Sequence, residues 1–377
     1  MFRLVLFVVV LGFLAARIFT DHHMWSQWLF VVPPEAWLLA IWLLAMLTSL
    51  LEPKGKGRLW ARLGPLVVAL VATVHVALVH WRLQNALLRP HGQTTLRVYH
   101  WNATEATDEA LQAFLRDADP FALRHDAPAV VVLANPPLRL DWPEVTGMLA
   151  DKELSRPELP QHFRRGGRFV IISGPPMTAA GWTSLGLRGK TTEPGLIDDG
   201  TAMFVRIELP DGPTTIWGWD WPSDPSRGRM AFVEPSLKAI ADSRHLSFVS
   251  TAAGPLRQQE QTGFPPADIV AGDFNTGRGS VAVSRLLPGL DGAHEQAGIG
   301  PDYGWPRFIY YKNQDRTTVP FVGVDQAFVR SSMWRTTAYR MIDMGVGTHR
   351  AQEAILTAVV RPSDASDSRQ EAPEAGN

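Results

Sequence analysis

The apolar positions of this chain fall into two regimes. Up to about residue 82 they form long, nearly uninterrupted runs; from residue 95 they form short runs broken by Gly/Pro turns. The first long run, residues 4–19, is apolar apart from Arg17 and follows the basic Arg3. The second spans residues 28–51. Pro33-Pro34 and Glu35 near its beginning place the helix start at about Pro34, because proline fits a first turn. The third spans residues 64–81, with His75 and His80 inside it. Runs of this length predict three membrane-spanning helices. A secretory h-region is the other reading of the first run, but no small-x-small cleavage site precedes Asp21, so a retained helix is expected.

Loop charge orients these helices. Lys54, Lys56, Arg58 and Arg62 lie between the second and third runs, whereas residues 21–27 carry no Lys or Arg. Positive charge stays on the cytoplasmic side, so everything beyond about residue 82 is expected on the external face of the plasma (inner) membrane. Trp25, Trp28, Trp37, Trp60 and Trp81 fall near the expected interfaces, as an aromatic belt does.

Beyond residue 95 the apolar runs at 96–100, 129–133, 168–172, 268–271, 322–329 and 354–360 predict strands, and 202–209 with 214–219 predict a hairpin turning at Asp211-Gly212. Residues 107–118 and 232–243 carry helical spacing. Apolar strands alternating with helices and hairpins predict mixed sheets packed between helices. The expected layout is a membrane region at 1–82, a polar connector at 83–94, a folded domain at 95–361 and a disordered Ser/Asp/Glu/Ala/Pro-rich tail at 362–377.

Composition narrows the functions. The first 92 residues carry eight Lys/Arg against three Asp/Glu, and the remainder carries 28 against 34. The mildly acidic second part argues against a protein held on nucleic acid by phosphate contacts alone. With no cysteine, disulfides and thiolate metal sites are excluded.

The candidate chemistry sits where strands end. Ala271-Gly272-Asp273-Phe274-Asn275 follows an apolar run and places Asp273 and Asn275 two residues apart. A carboxylate can orient a water or hold a metal, and an amide can grip a phosphate oxygen. The plain alternative is a capped turn. Asn102, Asn135, Asp220, Asp325 and His349 stand at other strand ends, and strand ends in layered α/β proteins converge on a site.

With these segments in view, residues 95–361 resemble the endonuclease/exonuclease/phosphatase superfamily of metal-dependent phosphoesterases. Leu96-Arg97-Val98-Tyr99-His100-Trp101-Asn102 looks like its first strand, and residues 271–275 match its Gly-Asp-Phe-Asn motif. Gly323-Val324-Asp325-Gln326-Ala327-Phe328-Val329 is similar to its late Asp-His strand, and Gly347-Thr348-His349-Arg350 to its final Ser-Asp-His-Arg segment. The resemblance implies a four-layer sandwich of two mixed β-sheets flanked by helices, here preceded by three transmembrane helices. It implies that Asp273 orients or deprotonates the attacking water, that Asn275 binds a phosphate oxygen, and that His349, partnered by Asp325, contacts the phosphate or transfers a proton. Asn102 falls on the metal side, Mg²⁺ or Mn²⁺ being the expected ion of an active enzyme.

Four positions depart from the pattern. Leu133-Ala134-Asn135 stands where the metal-binding Glu is expected, Asp220 where a His is expected, Gln326 follows Asp325 in place of His, and Thr348 precedes His349 in place of Asp. Asn135 offers a metal one neutral oxygen, and Asp220, Asp141 or Glu144 could supply a replacement carboxylate. Trp217, Trp219 and Trp221 alternate along one strand, and Trp219 with Asp220 are the weaker candidates for substrate contact, a buried sheet face being the alternative. Arg164, Arg165 and Arg168 could grip an anion or form a solvated basic loop. Two functional expectations follow: a membrane-anchored phosphoesterase acting on a phosphate-bearing substrate, with nucleic acid the less favoured class, or a catalytically silent domain that binds such a ligand or a protein at the membrane.

Overall fold

The computed structural model describes residues 1–51, 59–87, 95–121, 127–137, 140–148, 159–190, 197–251, 254–306, 308–311, 314–317 and 320–359. Among them are three helices long and apolar enough to cross a membrane: Phe2–Phe19, Pro34–Leu51 and Leu59–His80. The second starts at Pro34, as the pre-set φ of proline favours. A short helix, Met24–Phe30, joins the first two. Leu6, Phe13, Ile41, Ala45, Ala69 and Val76 form the interior of the bundle. Most of the connector (88–94), the charged part of the basic loop (52–58) and the tail (360–377) lie outside the described residues.

Two six-stranded sheets make the domain. The first runs, in spatial order, Trp334–Ile342, Ala351–Ala358, Leu96–Asn102, Ala129–Ala134, Phe169–Ser173, Phe163–Gly166; the second runs Leu290–Gly292, Asp325–Arg330, Ile269–Asp273, Gly212–Asp220, Thr201–Leu209, Met177–Ser184. Both are mixed. Leu96–Asn102 is parallel to Ala129–Ala134, and Ile269–Asp273 is parallel to Gly212–Asp220, while their other neighbours are antiparallel. This is the four-layer sandwich expected from the sequence.

The layering follows from the alternation of side chains along each strand. Val98, Val130, Val132, Ile171, Val205, Ile216 and Ile269 point between the sheets. Their neighbours Tyr99, Trp101 and Val131 point outward and are covered by Leu111, Phe114 and Leu115 of the helix Asp108–Ala118. Thr107 caps that helix, its hydroxyl accepting from the Ala110 amide, a contact typically worth about 1 kcal/mol. On the far side Trp217, Trp219, Trp221 and Phe274 are covered by Phe232 and Val233 of Met230–Asp242 and by Ala282 and Val283 of Val281–Leu286. Burial on both faces explains why central strands read as unbroken runs such as Val130-Val131-Val132-Leu133.

Several features were not anticipated. Met177–Ser184 and Trp334–Ile342 are edge strands, half exposed, with small or polar residues at alternate positions. Arg244–Thr251 and Gly254–Thr262 form a separate hairpin of mostly polar sequence. Another is the junction between the three long N-terminal helices and the domain. Trp81 O accepts from the Gly300 amide (2.7 Å), Asn85 Nδ2 donates to Gly298 O (2.9 Å), and Tyr303 and Trp81 both donate to the Glu35 carboxylate. The domain therefore packs on the end of the bundle opposite to residues 52–58.

Candidate active site

The central strands of the second sheet place three carboxylates side by side. Asp220, Asp273 and Asp325 are cross-strand neighbours, Asp273 pairing with Asp220 on one side and with Asp325 on the other. The first sheet brings Asn102 and Asn135 to the same end, and the segment before its Ala351–Ala358 strand brings His349. All but Asn135 are buried.

Four of these groups form a series of close polar contacts. Asn102 Nδ2 donates to Asp273 Oδ2 at 3.0 Å. His349 Nε2 stands 4.0 Å from the same oxygen, and its Nδ1 lies 2.7 Å from Asp325 Oδ2. Asp273 Oδ1 accepts the Asn275 amide at 2.8 Å. Trp101 Nε1 donates to His349 O at 3.2 Å, fixing that loop to the first sheet.

Charge is set by these contacts. Burial, then the Asp325 charge, push Asp273 up to about 6 against the opposing effects of His349 and its hydrogen-bond donors. Burial alone would lower His349, but the charge and hydrogen bond of Asp325, then Asp273 and Asp220, outweigh it and raise the ring to about 9. At neutral pH the pair is an imidazolium held by Asp325 and facing an ionised Asp273. Burial and its neighbours Asp273 and Asp198 push Asp220 well up, against the pull of Arg168.

Asn135 and Asn275 both have φ of 50°, a left-handed backbone that Asn tolerates better than most residues. Asn275 Nδ2 donates to Trp221 O (2.6 Å), so one of its two amide hydrogens is spent on the fold. Asn102 Oδ1 accepts from Thr104 N (3.3 Å), Thr104 Oγ1 (2.7 Å) and Asn135 Nδ2 (3.2 Å). That oxygen, expected on the metal side, already accepts from three protein donors. The donor set that fits a divalent ion is Asp273, Asp325 and His349, whose ligating atoms lie within 4.8 Å of one another. Asp325 Oδ1 supports this, being buried without a hydrogen-bond partner. Because His349 carries a proton there, ion binding and protonation compete.

Trp219 is corrected from a substrate contact to a core residue: it is fully buried, stacked on Phe274 and tilted against Trp221. Asp141 and Glu144 are not in the site; each accepts the other's backbone amide at the start of Trp142–Met148. Of the three replacement carboxylates, only Asp220 borders Asp273. Gln326 donates to Thr276 O (2.7 Å) and holds the loop after the motif.

Of the three arginines read as an anion grip or a basic loop, Arg168 reaches the site, and His100 and Arg229 are site residues that went unrecognised. Arg168 Nη1 reaches Asp198 Oδ1 (2.9 Å) and Asp220 Oδ2 (3.4 Å), which brings a half-exposed cation to the site's edge. His100, beside Asp325 and bonded to Gln352, is held neutral by burial, which lowers it to about 4. Arg229 donates to Asn275 O (2.8 Å). His100 and Arg229 are unmarked in the sequence.

No family model and no curated protein matches this chain. Solved structures similar to it are endonuclease/exonuclease/phosphatase proteins or relatives of them. One such family protein from Bacteroides thetaiotaomicron is 12% identical, covers 71% of this chain and 98% of its own, and has a TM-score of 0.43. A mannosyl-6-phosphatase from the same organism is 11% identical over 70% of this chain and 100% of its own (TM-score 0.42). D. rerio TDP2 complexed with single-strand DNA product is 15% identical over 70% and 98% (TM-score 0.42).

Proposed function

We propose that this chain is a membrane-anchored phosphoric ester hydrolase whose site lies on the external face. The observation that carries this reading is the buried series Asn102–Asp273–His349–Asp325, in which an ionised carboxylate faces a protonated imidazole between the ends of two sheets. The external face is supported by the basic loop at 52–62 and by the contacts of the domain with Glu35 and Trp81 at the other end of the helices.

The chemistry is hydrolysis at phosphorus. Asp273 orients a water and takes its proton as the new oxygen–phosphorus bond forms. The His349 imidazolium, held by Asp325, pairs with the negative charge that develops on the phosphorane oxygens and donates its proton to the departing oxygen as the second phosphorus–oxygen bond breaks. Arg168 at the edge attracts the anionic substrate. With His349 keeping its proton, Asp273 and Asp325 would be the residues to hold a Mg²⁺ or Mn²⁺ ion, which would supply further neutralisation of phosphate charge.

The test is hydrolysis of 4-nitrophenyl phosphate and bis(4-nitrophenyl) phosphate by the full chain in detergent with Mn²⁺. Asp273→Ala should abolish it while the circular dichroism spectrum is retained. Turnover at the wild-type rate in a clean Asp273→Ala preparation would refute the assignment. A second reading, a silent domain that binds a phosphate-bearing ligand, is favoured by the committed oxygen of Asn102 and the missing charge at Asn135. Saturable phosphate binding without turnover in wild type would select it.

A further inference from the structure

We infer that the membrane region is a working part of the site: Asp21, in the external turn between the first two helices, is a positioning residue for the loop that carries Asp273 and Asn275. Asp21 is fully buried although it lies in a polar turn. Its Oδ2 accepts from Thr276 Oγ1 (3.2 Å) and from Ser280 Oγ, and its Oδ1 accepts the amides of Val281 (2.9 Å) and Ala282 (3.3 Å). These partners stand some 255 to 261 positions further along the chain, and all belong to the segment that follows the motif. One carboxylate thus ties together both ends of the turn between the Ile269–Asp273 strand and the Val281–Leu286 helix.

Gln27 makes a parallel contact. Its Oε1 accepts the Arg229 amide (2.9 Å), and Arg229 Nε donates to Asn275 O (2.8 Å). From the domain side, Gln326, next to Asp325, holds Thr276 O. Phe30 packs beneath Gly277, at 3.4 Å from where a Cβ would stand. Asn275, in its left-handed conformation, therefore lies between two supports that originate in the membrane region. A buried carboxylate that accepts from Thr20 Oγ1 (3.3 Å) and from these four donors of one distant segment holds that segment firmly, because buried donors left without an acceptor are costly. Asp21 and Gln27 touch no reacting atom. They act by setting where Asp273, through the backbone of residues 274–282, sits relative to His349.

The kinetic arm of the test rests on the phosphoesterase reading; the exchange arm does not. Hydrogen–deuterium exchange is measured on the full chain in nanodiscs for wild type, Asp21→Ala, Asp21→Asn and Gln27→Ala. Asp21→Ala should speed exchange of residues 274–286 at least tenfold while residues 96–102 stay protected. Asp21→Asn should fall between, since it keeps an acceptor for the two amides. Gln27→Ala should loosen residues 228–231 and 274–276 only, and it gives a readable result even where Asp21→Ala does not fold. In hydrolysis assays kcat should fall tenfold or more in Asp21→Ala with KM within twofold, and Asp21→Asn should restore part of it. Unchanged exchange at 274–286 in both Asp21 variants overturns the inference, whether or not wild type hydrolyses anything. So does a loss of protection spread evenly over both sheets, which would mark Asp21 as a general stabiliser. Loosening at 274–286 in a wild-type background that shows no turnover would uphold the coupling and count against the hydrolase reading alone.

Discussion

At the residue scale the site is governed by the difference between two neighbours. Asp273 is held to about 6 and His349 to about 9, so between these values one is charged negative and the other positive. A reaction that needs Asp273 ionised gains rate as pH rises through about 6. The same reaction needs His349 protonated and loses rate as pH rises through about 9. The expected profile of kcat/KM is a bell between those limits. Asp325→Asn removes the main influence that raises His349, so the alkaline limb should move toward neutrality while the acid limb stays near its place or moves lower, Asp325 being one of the groups that raise Asp273. A flat profile from pH 5 to 10, or an alkaline limb indifferent to Asp325→Asn, would contradict the assigned roles.

At the scale of elements the registers matter most. Asp220, Asp273 and Asp325 meet because three strands end level, and Gly272 permits this. A Cβ at Gly272 would lie 2.0 Å from the backbone oxygen of Trp219 on the parallel neighbour. Backbone cannot swing aside as a side chain does, so Gly272→Ala must part the two strands next to the site. Destabilisation of about 3 kcal/mol or more is expected in urea denaturation, in the range of mutations that break core geometry. A variant within about 1 kcal/mol of wild type would show that the strands are less tightly joined than this. The glycine of the motif is thus a packing requirement, while the Asp and Asn that flank Phe274 carry the proposed chemistry.

At the scale of the whole molecule, anchor and domain share one polar junction through Asp21, Gln27, Glu35, Trp81 and Asn85. Every one of these lies at the bundle end away from the basic loop. The proposed topology places that end outside, so protease added to spheroplasts should digest the domain and leave a membrane-protected fragment of roughly three helices. Full protection of the domain in intact spheroplasts, with digestion after lysis, would reverse the orientation. The junction also means that a domain cut free near residue 93 loses the Asp21 and Gln27 contacts, and its kinetics would describe an altered loop.

Much of this was legible in local pattern, because burial writes itself into sequence. The three long apolar runs, the Val-rich central strands and the capped helix at Thr107 each have a period or length that only one environment satisfies. Asp273, Asp325 and His349 were legible as polar residues at the ends of apolar strands and by their resemblance to a known motif order. The edge strands were not legible, since their inward faces are built partly from small or polar residues such as Ala180 and Thr336, which blurs the alternation. Nor were the committed oxygen of Asn102, the burial of Trp219, the Arg168–Asp220 pair or the neutral state of His100, since each depends on which strand end faces which. Asp21 is the extreme case: an acidic residue in a short turn reads as solvated, and only a chain folded back across more than 250 positions turns it into the support of a loop. Sequence by itself determined the three helices long and apolar enough to cross a membrane, the sheet-forming segments and the candidate site groups, because these follow from short-range burial and residue chemistry. Tertiary structure alone decided which of those groups meet, what charge they carry and what holds them in place, because those are properties of distance.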